Sequence, residues 1–467
     1  MHKISLKNLL SDFLLALRGS NTDFTTGSIN RAIFLLSIPM ILEMVMEALF
    51  AIVDVYFVSK ISVNAMVAVS LTENVLFIVW SIAIGLAIAM NAIIARRIGE
   101  KDYPRASSSA ASGILVSALI AIIIGILGGV FAGNILELMG ADAQVIQEGI
   151  GYSQIMFASN IMIILLFVNN GIIRGAGDAS VAMKALIISN TLNIILDPIL
   201  IFGTWGFPGM GVKGAALATV VGRGIGVIYQ FYHMFNGKAR IKLVFEKTIF
   251  KLKSIFEILK TAVPGTSQFF IESAGWMFLV RLVALEGSEA IAGYYIAFRV
   301  IVFTLLPAFG ISHAAATLVG QNLGAGKPER AEQAVWRTTI VCMVFLFLAS
   351  VVLYVWSSSI VSIFGNGQSI VNEIAEKGLK IVCLAYLFFA VGMVVVQSFN
   401  GSGDTKTPMF INIGAFWLFQ IPFAYIMSQV VGLKETGVFL AIAFAHSIHA
   451  VTAFFLFRKG SWKYTRL

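Results

Sequence analysis

Twelve long apolar stretches, separated by loops whose basic residues fall on alternate sides, constrain this chain more than any other feature. Of its 467 residues, 58% are hydrophobic and 12% are charged. Each stretch has the about 20 residues that a helix needs to cross a bilayer. The sequence therefore predicts an all-α membrane protein with twelve transmembrane helices. The predicted spans are 33–58, 66–95, 109–133, 148–173, 181–203, 213–236, 256–283, 290–319, 334–360, 376–400, 408–431 and 437–457.

The net charge of +9 follows from topology rather than from a nucleic-acid surface. Lysines and arginines are concentrated in the two tails and in the even-numbered loops, and cytoplasmic loops carry such an excess. We therefore expect a multi-pass protein of the cytoplasmic (inner) membrane with both termini in the cytoplasm, contact with anionic lipids, and no nucleic-acid partner. The odd-numbered loops hold Lys60, Lys213, Lys377, Lys380 and Lys434.

The second feature is an internal repeat. Glycine followed by aspartate, which suits a tight turn that caps the next helix, occurs after the fourth and tenth spans. Three residues recur after 225 positions, and the Gly-Asp pair recurs after 226. These pairs are Pro39 and Pro264, Glu47 and Glu272, Gly99 and Gly324, and Gly177-Asp178 and Gly403-Asp404.

The repeat predicts two six-helix lobes around a central cleft. Because each lobe contains an even number of spans, both lobes have the same orientation in the membrane, and a cleft between them that opens to either side is typical of a transporter. Residues 4–17 have the apolar spacing of an interfacial helix. The predicted parts are a cytoplasmic tail with this helix at 1–30, lobes at 31–236 and 256–457, a cytoplasmic link at 237–255, and a cytoplasmic tail at 458–467.

Ionisable residues inside a membrane helix are costly unless they are hydrated or paired, so they are candidates for function. The first span carries Glu43, Glu47 and Asp54 at spacings of four and seven, which places all three on one stripe of the helix. A stripe of carboxylates cannot face lipid. It must face the interior of the lobe or the cleft.

Four oxygen-bearing side chains reach similar depth in the first lobe. A rise of about 1.5 Å per residue places Asp54 roughly 6 Å, and both Asp197 and Thr219 roughly 9 Å, from the outer boundary, with Asn193 one turn deeper. Clustered oxygens suit a monovalent cation or a shared proton. Two adjacent carboxylates in low dielectric require either a held proton or a bound cation. The alternative is a static buried network.

Glu47 and Glu272 share one repeat position near the middle of the bilayer. Symmetric carboxylates at a cleft could attract a cationic substrate or carry protons. The alternative is that each forms a salt bridge with an intramembrane arginine, namely Arg223, Arg281 or Arg299. The sequence leaves both interpretations open.

Several segments, in the same order along the chain, resemble the multidrug and toxic compound extrusion (MATE) antiporters. They are 38–70, 172–203, GMGVKGAALATVVG (209–222) and GQNLGAGKPERA (320–331). The resemblance covers about residues 30–457. It implies a secondary active antiporter that exports organic, cationic and amphipathic compounds in exchange for H⁺ or Na⁺ by alternating access.

The resemblance also assigns roles to individual residues. Pro39 falls in the helix that is thought to bend when the nearby site is protonated, and the alternative is an ordinary proline in the first turn of a helix. Glu272 matches an acidic residue found in part of the family. The residues that match the cation site are Asp54, Asn193, Asp197 and Thr219. Tyr152 and Asn170 resemble lining positions of the substrate or cation region, and the alternative for both is a packing role.

The chain also departs from the family pattern. Phe389 stands where part of the family has an acidic residue, and Phe419 and Phe423 stand at the repeat positions of Asn193 and Asp197. The second lobe is therefore expected to lack a copy of the cation site. The presence of both Asp197 and Glu272 mixes two family branches, which leaves H⁺ and Na⁺ equally open.

Other functions are less well supported. A lipid-linked precursor flippase of the same superfamily is the alternative, but it would need a cationic cleft for its pyrophosphate headgroup. No nucleophile, metal spacing or phosphate-binding loop accompanies the carboxylates, so we expect neither an enzyme nor a cofactor or metal. The expected partners are small organic substrates and membrane lipids, and the expected state is a monomer.

Overall fold

The computed structural model describes residues 6–19, 22–204, 206, 208–236, 240–243, 252–364, 369–465 and 467. These residues form helices and connecting turns without β-strands, as the sequence predicts. The helices are α1 Leu6–Arg18, α2 Ile29–Val58, α3 Val63–Gly99, α4 Tyr103–Val130, α5 Ala132–Leu138, α6 Ala143–Ala158, α7 Asn160–Ala176, α8 Ala179–Phe202, α9 Val212–Phe235, α10 Leu252–Ala284, α11 Ser288–Gly324, α12 Pro328–Val355, α13 Ser357–Ser362, α14 Ser369–Cys383, α15 Tyr386–Ser402, α16 Lys406–Asn412, α17 Ile421–Tyr425 and α18 Lys434–Arg458.

The described helices include one candidate span fewer than the twelve predicted, even when each bent pair is counted as one span. Within the described ranges, 9 helices are long and apolar enough to cross a membrane, and 11 if each bent pair is one span. The remaining predicted span is α10, which is 33 residues long but carries Glu257, Lys260, Glu272 and Arg281. Most of the predicted link at 237–255 lies outside the described residues.

Two predicted spans are broken rather than continuous. The axes of α6 and α7 differ by 41°, and those of α14 and α15 by 57°. At the first break, the Asn160 amide donates to the Phe157 carbonyl at 2.6 Å and to the Ala121 carbonyl of α4 at 3.0 Å. A side chain that binds main-chain carbonyls in this way offers the backbone an alternative to the helical ladder.

The span after the second Gly-Asp turn contains two π-helical segments. Residues Ile413–Gln420 and Ile426–Val430 are π-helical, and α17 lies between them with Pro422 in its first turn. The sequence prediction of an ordinary helix at 408–431 missed this geometry. Stretches of π-helix are uncommon, and those that do occur are often located at functional sites.

The backbone packs into two compact units that divide two helices between them. One unit contains Met1–Asp23 and Leu42–Thr266, and the other contains Phe24–Ile41 and Ser267–Leu467. The divisions inside α2 and α10 are 225 residues apart, so they obey the sequence repeat. The predicted lobes at 31–236 and 256–457 follow the repeat. In the compact units, by contrast, the first part of α2, including Pro39, belongs to the second unit, and the first part of α10 belongs to the first unit.

The repeat is visible in the close packing inside each unit. In the first unit, a Cβ on Gly175 of α7 would lie 2.7 Å from the Asn91 carbonyl oxygen of α3. In the second unit, a Cβ on Gly401 of α15 would overlap the Ala316 carbonyl of α11. Glycine is therefore needed at both positions because the two helix backbones touch.

The two Gly-Asp turns have similar backbones but different caps. Gly177 and Gly403 are left-handed, with φ of 88° and 92°. As predicted, Asp404 caps the next helix by accepting from the Thr407 amide at 3.1 Å. Asp178 makes no such cap. Its carboxylate instead accepts from the Ser180 hydroxyl at 3.2 Å, and burial raises its pKa.

Residues 24–27 are held by two basic side chains of the second unit. Arg330 donates to the Gly27 carbonyl at 3.0 Å and to the Thr26 carbonyl at 2.8 Å. Lys327 donates to the Thr25 carbonyl at 2.9 Å. These cations of the GQNLGAGKPERA loop therefore bind main chain, and the segment that leads into α2 is anchored.

The predicted interfacial helix corresponds to α1. Its Leu10, Phe13 and Leu14 are exposed by 61%, 37% and 44%, while Ala16 is buried against the first unit. Lys184 of α8 donates to the Arg18 carbonyl at 2.9 Å, which fixes the end of α1. The helix thus presents an apolar surface away from the packed unit, as an interfacial helix would.

Candidate cation site and its charged neighbours

The predicted oxygen cluster has its centre at Asn193 of α8. Its amide nitrogen lies 3.4 Å from Asp197 Oδ1 and 3.3 Å from Thr219 Oγ1 of α9. The orientation that satisfies both sides of the amide has the nitrogen donating to Asp197 Oδ2 at 3.2 Å and the oxygen accepting from the Thr219 hydroxyl at 3.3 Å. Asn193 therefore joins α8 to α9 through these two residues.

Local sequence explains why these groups meet. Gly222 lets α9 approach α8, because a Cβ there would lie 2.6 Å from the Ser189 carbonyl oxygen and 3.3 Å from Asn193 Cβ. Pro198 lies inside α8 directly after Asp197. Proline has no N–H, so the Ile194 carbonyl lacks its usual helical donor. One main-chain carbonyl is therefore left without its helical donor one turn from Asp197.

Asp54 of α2 is the fourth predicted member. Its side chain is 5% exposed, and its Oδ1 has no hydrogen-bond donor within the part of the chain that the structure describes. It lies within electrostatic range of Asp197, Glu73 and Arg223. The structure therefore brings a second carboxylate, buried and incompletely satisfied, to the Asn193 cluster.

This arrangement can hold one positive charge. The four predicted residues are all more than nine-tenths buried, and two of them are carboxylates. Burying two negative charges together is unfavourable unless a proton or a cation compensates them. Carboxylate, amide and hydroxyl oxygens are hard ligands that suit such a cation.

Glu47 forms the salt bridge that the sequence left as an alternative. Its Oε1 lies 3.0 Å from Arg223 Nη2 of α9, and its side chain is 20% exposed. The Arg223 guanidinium also lies 4.6 Å from the Phe50 ring centre and 4.9 Å from that of Trp80. Sequence reasoning could not choose among three arginines, because helix periodicity does not say which helices are neighbours.

Glu43 and Asn170 belong to a separate buried network in the same unit. Asn170 donates to Glu43 Oε1 at 2.9 Å and accepts from the Gln230 amide at 2.6 Å. Arg174 lies 3.6 Å from the same Glu43 oxygen. Asn170 is thus engaged with side chains of α2 and α9. Sequence reasoning missed Gln230, although an amide side chain inside an apolar span could have indicated a buried hydrogen-bond network.

Tyr152 of α6 is buried near the candidate cation site. Its side chain is 2% exposed and lies within electrostatic range of Asp54, Asp197 and Glu73. Sequence reasoning also missed Glu73, a carboxylate inside the second predicted span. The first unit therefore gathers more acidic groups than the four predicted residues suggested.

The second unit repeats the scaffold with neutral or aromatic groups. Gln268, at the repeat position of Glu43, exchanges amide hydrogen bonds with Asn400 at 3.0 and 3.2 Å. His446 stacks on Phe389 with ring centres 3.9 Å apart, and His449 lies 3.1 Å from Asn412 Oδ1. Glu272 is partly buried and has no ion pair among the described residues.

Comparisons with known proteins agree with these features. A family model described as MatE matches residues 39–199 and 264–426, two segments that begin at the prolines of the repeat. A probable multidrug resistance protein NorM of Thermotoga maritima is 27% identical over 437 residues, which cover 93% of this chain and 93% of that protein. An FAD transporter of Shewanella oneidensis is 24% identical over 92% of this chain and 95% of that protein.

A solved structure gives the same result for the fold. A multidrug resistance MATE family transporter of the MOP superfamily, in an outward-facing conformation, matches with a TM-score of 0.88 and 25% identity. The match covers 95% of this chain and 98% of that chain. The predicted fold class and the resemblance stated from sequence are therefore confirmed.

Proposed function

Because this chain belongs to the MatE family of multi-pass membrane transporters, which are not enzymes, we propose that it is a secondary antiporter. It exports organic compounds in exchange for H⁺ or Na⁺ by alternating access. The proposal includes its location in the cytoplasmic membrane with both termini inside, action as a monomer, contact with membrane lipids, and no cofactor beyond the coupling ion.

The single observation that supports this function best is the Asn193 bridge between Asp197 and Thr219, with Asp54 beside it. When the site faces outside, a cation enters and compensates one of the two negative charges, which removes their mutual repulsion. This compensation lowers the cost of burying them, so the loaded site can close. Release of the cation inside restores the repulsion and resets the cycle.

The proposed substrate is a small amphipathic organic cation. Glu272 is a carboxylate without an ion pair among the described residues, so it can attract a positive substrate, whereas Glu47 already faces Arg223. A multidrug name among the relatives agrees with an organic substrate, and an FAD transporter among them shows that substrates differ within the group. The flippase alternative is not favoured by these relatives.

Efflux from proteoliposomes tests the proposal. The purified chain is reconstituted in vesicles, and export of ethidium is followed under an imposed proton gradient or an imposed sodium gradient. We expect one gradient to drive export in the wild type and Asp54→Asn to abolish it. Asp102→Asn is the matched control, because asparagine caps a helix as well as aspartate does and Asp102 caps α4.

Two results would contradict the proposal. Gradient-driven export by Asp54→Asn at the wild-type rate would exclude Asp54 from coupling. Export that is insensitive to both gradients in the wild type would exclude antiport.

A further inference from the structure

Arg223 is a buried charge that has no evident role in the fold and is not one of the four residues of the proposed cation site. Its side chain is 1% exposed, and its Nε and Nη1 have no hydrogen-bond acceptor in the described ranges. An arginine stays charged at any pH a protein survives, so a permanent positive charge is buried here. Burial of a charge this incompletely satisfied is costly and calls for a functional reason.

Arg223 lies between the two acidic positions of α2. Its Nη2 contacts Glu47 at 3.0 Å, and it is within electrostatic range of Asp54, which is two helical turns further along. On α9 it follows Thr219 by one turn. Glu47 Oε2 and Asp54 Oδ1 both lack hydrogen-bond donors among the described residues, so each carboxylate has a free oxygen for the guanidinium.

The surroundings allow the guanidinium to turn between these carboxylates. Its faces are covered by Phe50 and Trp80, which attract a cation without fixing its hydrogen bonds. Among the described residues, the Nη2 contact with Glu47 is the one polar contact that would have to break. The charged and titratable groups near Arg223 are Glu47 and Asp54 from α2 and Tyr152 from α6. Glu73 from α3 and Asp197 from α8 are in turn within electrostatic range of Asp54.

The repeat provides an independent comparison. Arg223 and His449 are 226 residues apart, the spacing that relates Asn193 to Phe419 and Asp197 to Phe423. The second unit therefore has neither the arginine nor the amide and carboxylate at the equivalent positions. The arginine occurs in the unit that has the acidic cluster, which is expected if it serves that cluster.

We propose that Arg223 is the internal counter-ion of the cation site. It neutralises Asp54 when no coupling cation is bound, and it moves to Glu47 when a cation takes its place. The contacts with Glu47 are those of the second arrangement. Glu47 is then a positioning residue that holds the Arg223 guanidinium away from Asp54. The inference rests on the proposed cation site at Asp54.

Direct binding measurements separate this inference from the function on which it rests. The full-length protein in lipid nanodiscs is titrated with NaCl at pH 8 by calorimetry, and its proton uptake is measured without sodium. The cation that the wild type binds and Asp54→Asn does not bind is used for the remaining variants. If Asp54→Asn binds both cations as the wild type does, the proposed function and this inference both fail.

The expected changes have opposite signs. Arg223→Gln removes a competitor, so cation affinity should rise about tenfold, the effect of one unit charge at about 10 Å in an effective dielectric of about 20. Glu47→Gln leaves Arg223 at Asp54, so affinity should fall by a similar factor. In Glu47→Gln/Arg223→Gln, the affinity should equal that of Arg223→Gln, because Glu47 acts through the arginine.

A second readout follows the guanidinium itself. Cation binding should change the emission of Trp80, and both Trp80→Phe and Arg223→Gln should remove that part of the change from the signal of the 7 tryptophans. Arg281→Gln, which removes an arginine of the second unit, is the control and should leave cation affinity within twofold of wild type. The double variant removes both charges, so it tests the inference even if a single variant fails to fold.

The inference is overturned if Arg223→Gln, or the double variant, binds the cation within twofold of wild type while Asp54→Asn loses binding. In that case the proposed cation site stands and Arg223 is a static ion pair. An effect of Glu47→Gln that persists without Arg223 would also overturn it.

Discussion

The buried ion pair of Glu43 and Arg174 is expected to stabilise the first unit by an amount that a single substitution can measure. Glu43 is 2% exposed and lies 3.6 Å from Arg174 Nη1. Breaking a buried pair by removing one charge costs about 3–5 kcal/mol. Because glutamine can still accept from Asn170, about 1 kcal/mol of that loss is recovered. We therefore expect Glu43→Gln to destabilise the protein by about 2–4 kcal/mol.

The second unit suggests a variant that restores stability. Gln268 and Asn400 occupy the repeat positions of Glu43 and Arg174, and they form an uncharged amide pair. Glu43→Gln/Arg174→Asn would therefore give the first unit the pair that the second unit already has. Since both charges of the buried pair are removed together, we expect the double variant to be within about 1–2 kcal/mol of the wild type.

Thermal unfolding of the detergent-solubilised protein, followed by far-ultraviolet circular dichroism at one heating rate, measures these differences. The apparent Tm of Glu43→Gln should fall by several degrees, and the double variant should recover most of that loss. The reasoning is refuted if Glu43→Gln melts at the wild-type temperature. It is equally refuted if the double variant is less stable than Glu43→Gln, because the loss would then not come from breaking the Glu43–Arg174 ion pair.

Three further predictions address other parts of the chain. Asp197→Asn should lower gradient-driven ethidium efflux at least tenfold without altering the amount of folded protein, and wild-type efflux would contradict the site. Gly401→Ala should lower the apparent Tm because its Cβ overlaps the α11 backbone, whereas Gly414→Ala, which meets no atom within 4 Å, should not. Arg330→Ala should speed amide hydrogen exchange in residues 24–27 roughly tenfold, since their carbonyls lose a charged donor. Unchanged exchange would show that the hydrogen bonds from Arg330 do not stabilise this segment.

The helical fold and its repeat could be predicted from sequence because both depend on local patterns. Apolar length gives the spans, and the recurrence of Pro39 and Glu47 after 225 residues gives the two halves. The breaks were not predictable in the same way. Asn160 ends α6 by binding a carbonyl of α4, and that contact depends on tertiary packing that no window of sequence contains.

The site was predictable where depth alone decides proximity. Asn193, Asp197 and Thr219 meet as expected because one helical turn and one short connection fix their relative height. The choice of partner for Glu47 was not predictable, since it depends on how far α9 is rotated about its own axis. Gly222, next to Arg223, lets α9 pack closely against α8, and this close approach cannot be read from the pattern of apolar residues.

The π-helical segment Ile413–Gln420 has a consequence for variant design. A π-turn contains nearly one residue more than an α-turn, and one residue corresponds to about 100° of rotation. Helical wheels drawn through this region therefore misplace the side chains of α17, directly beyond Gln420, by roughly a quarter of a circle or more. The second π-helical segment adds to the error for the residues after it. Shortening the segment by a single codon would turn the remainder of the helix, so deletion scanning is a more sensitive probe of this face than alanine scanning.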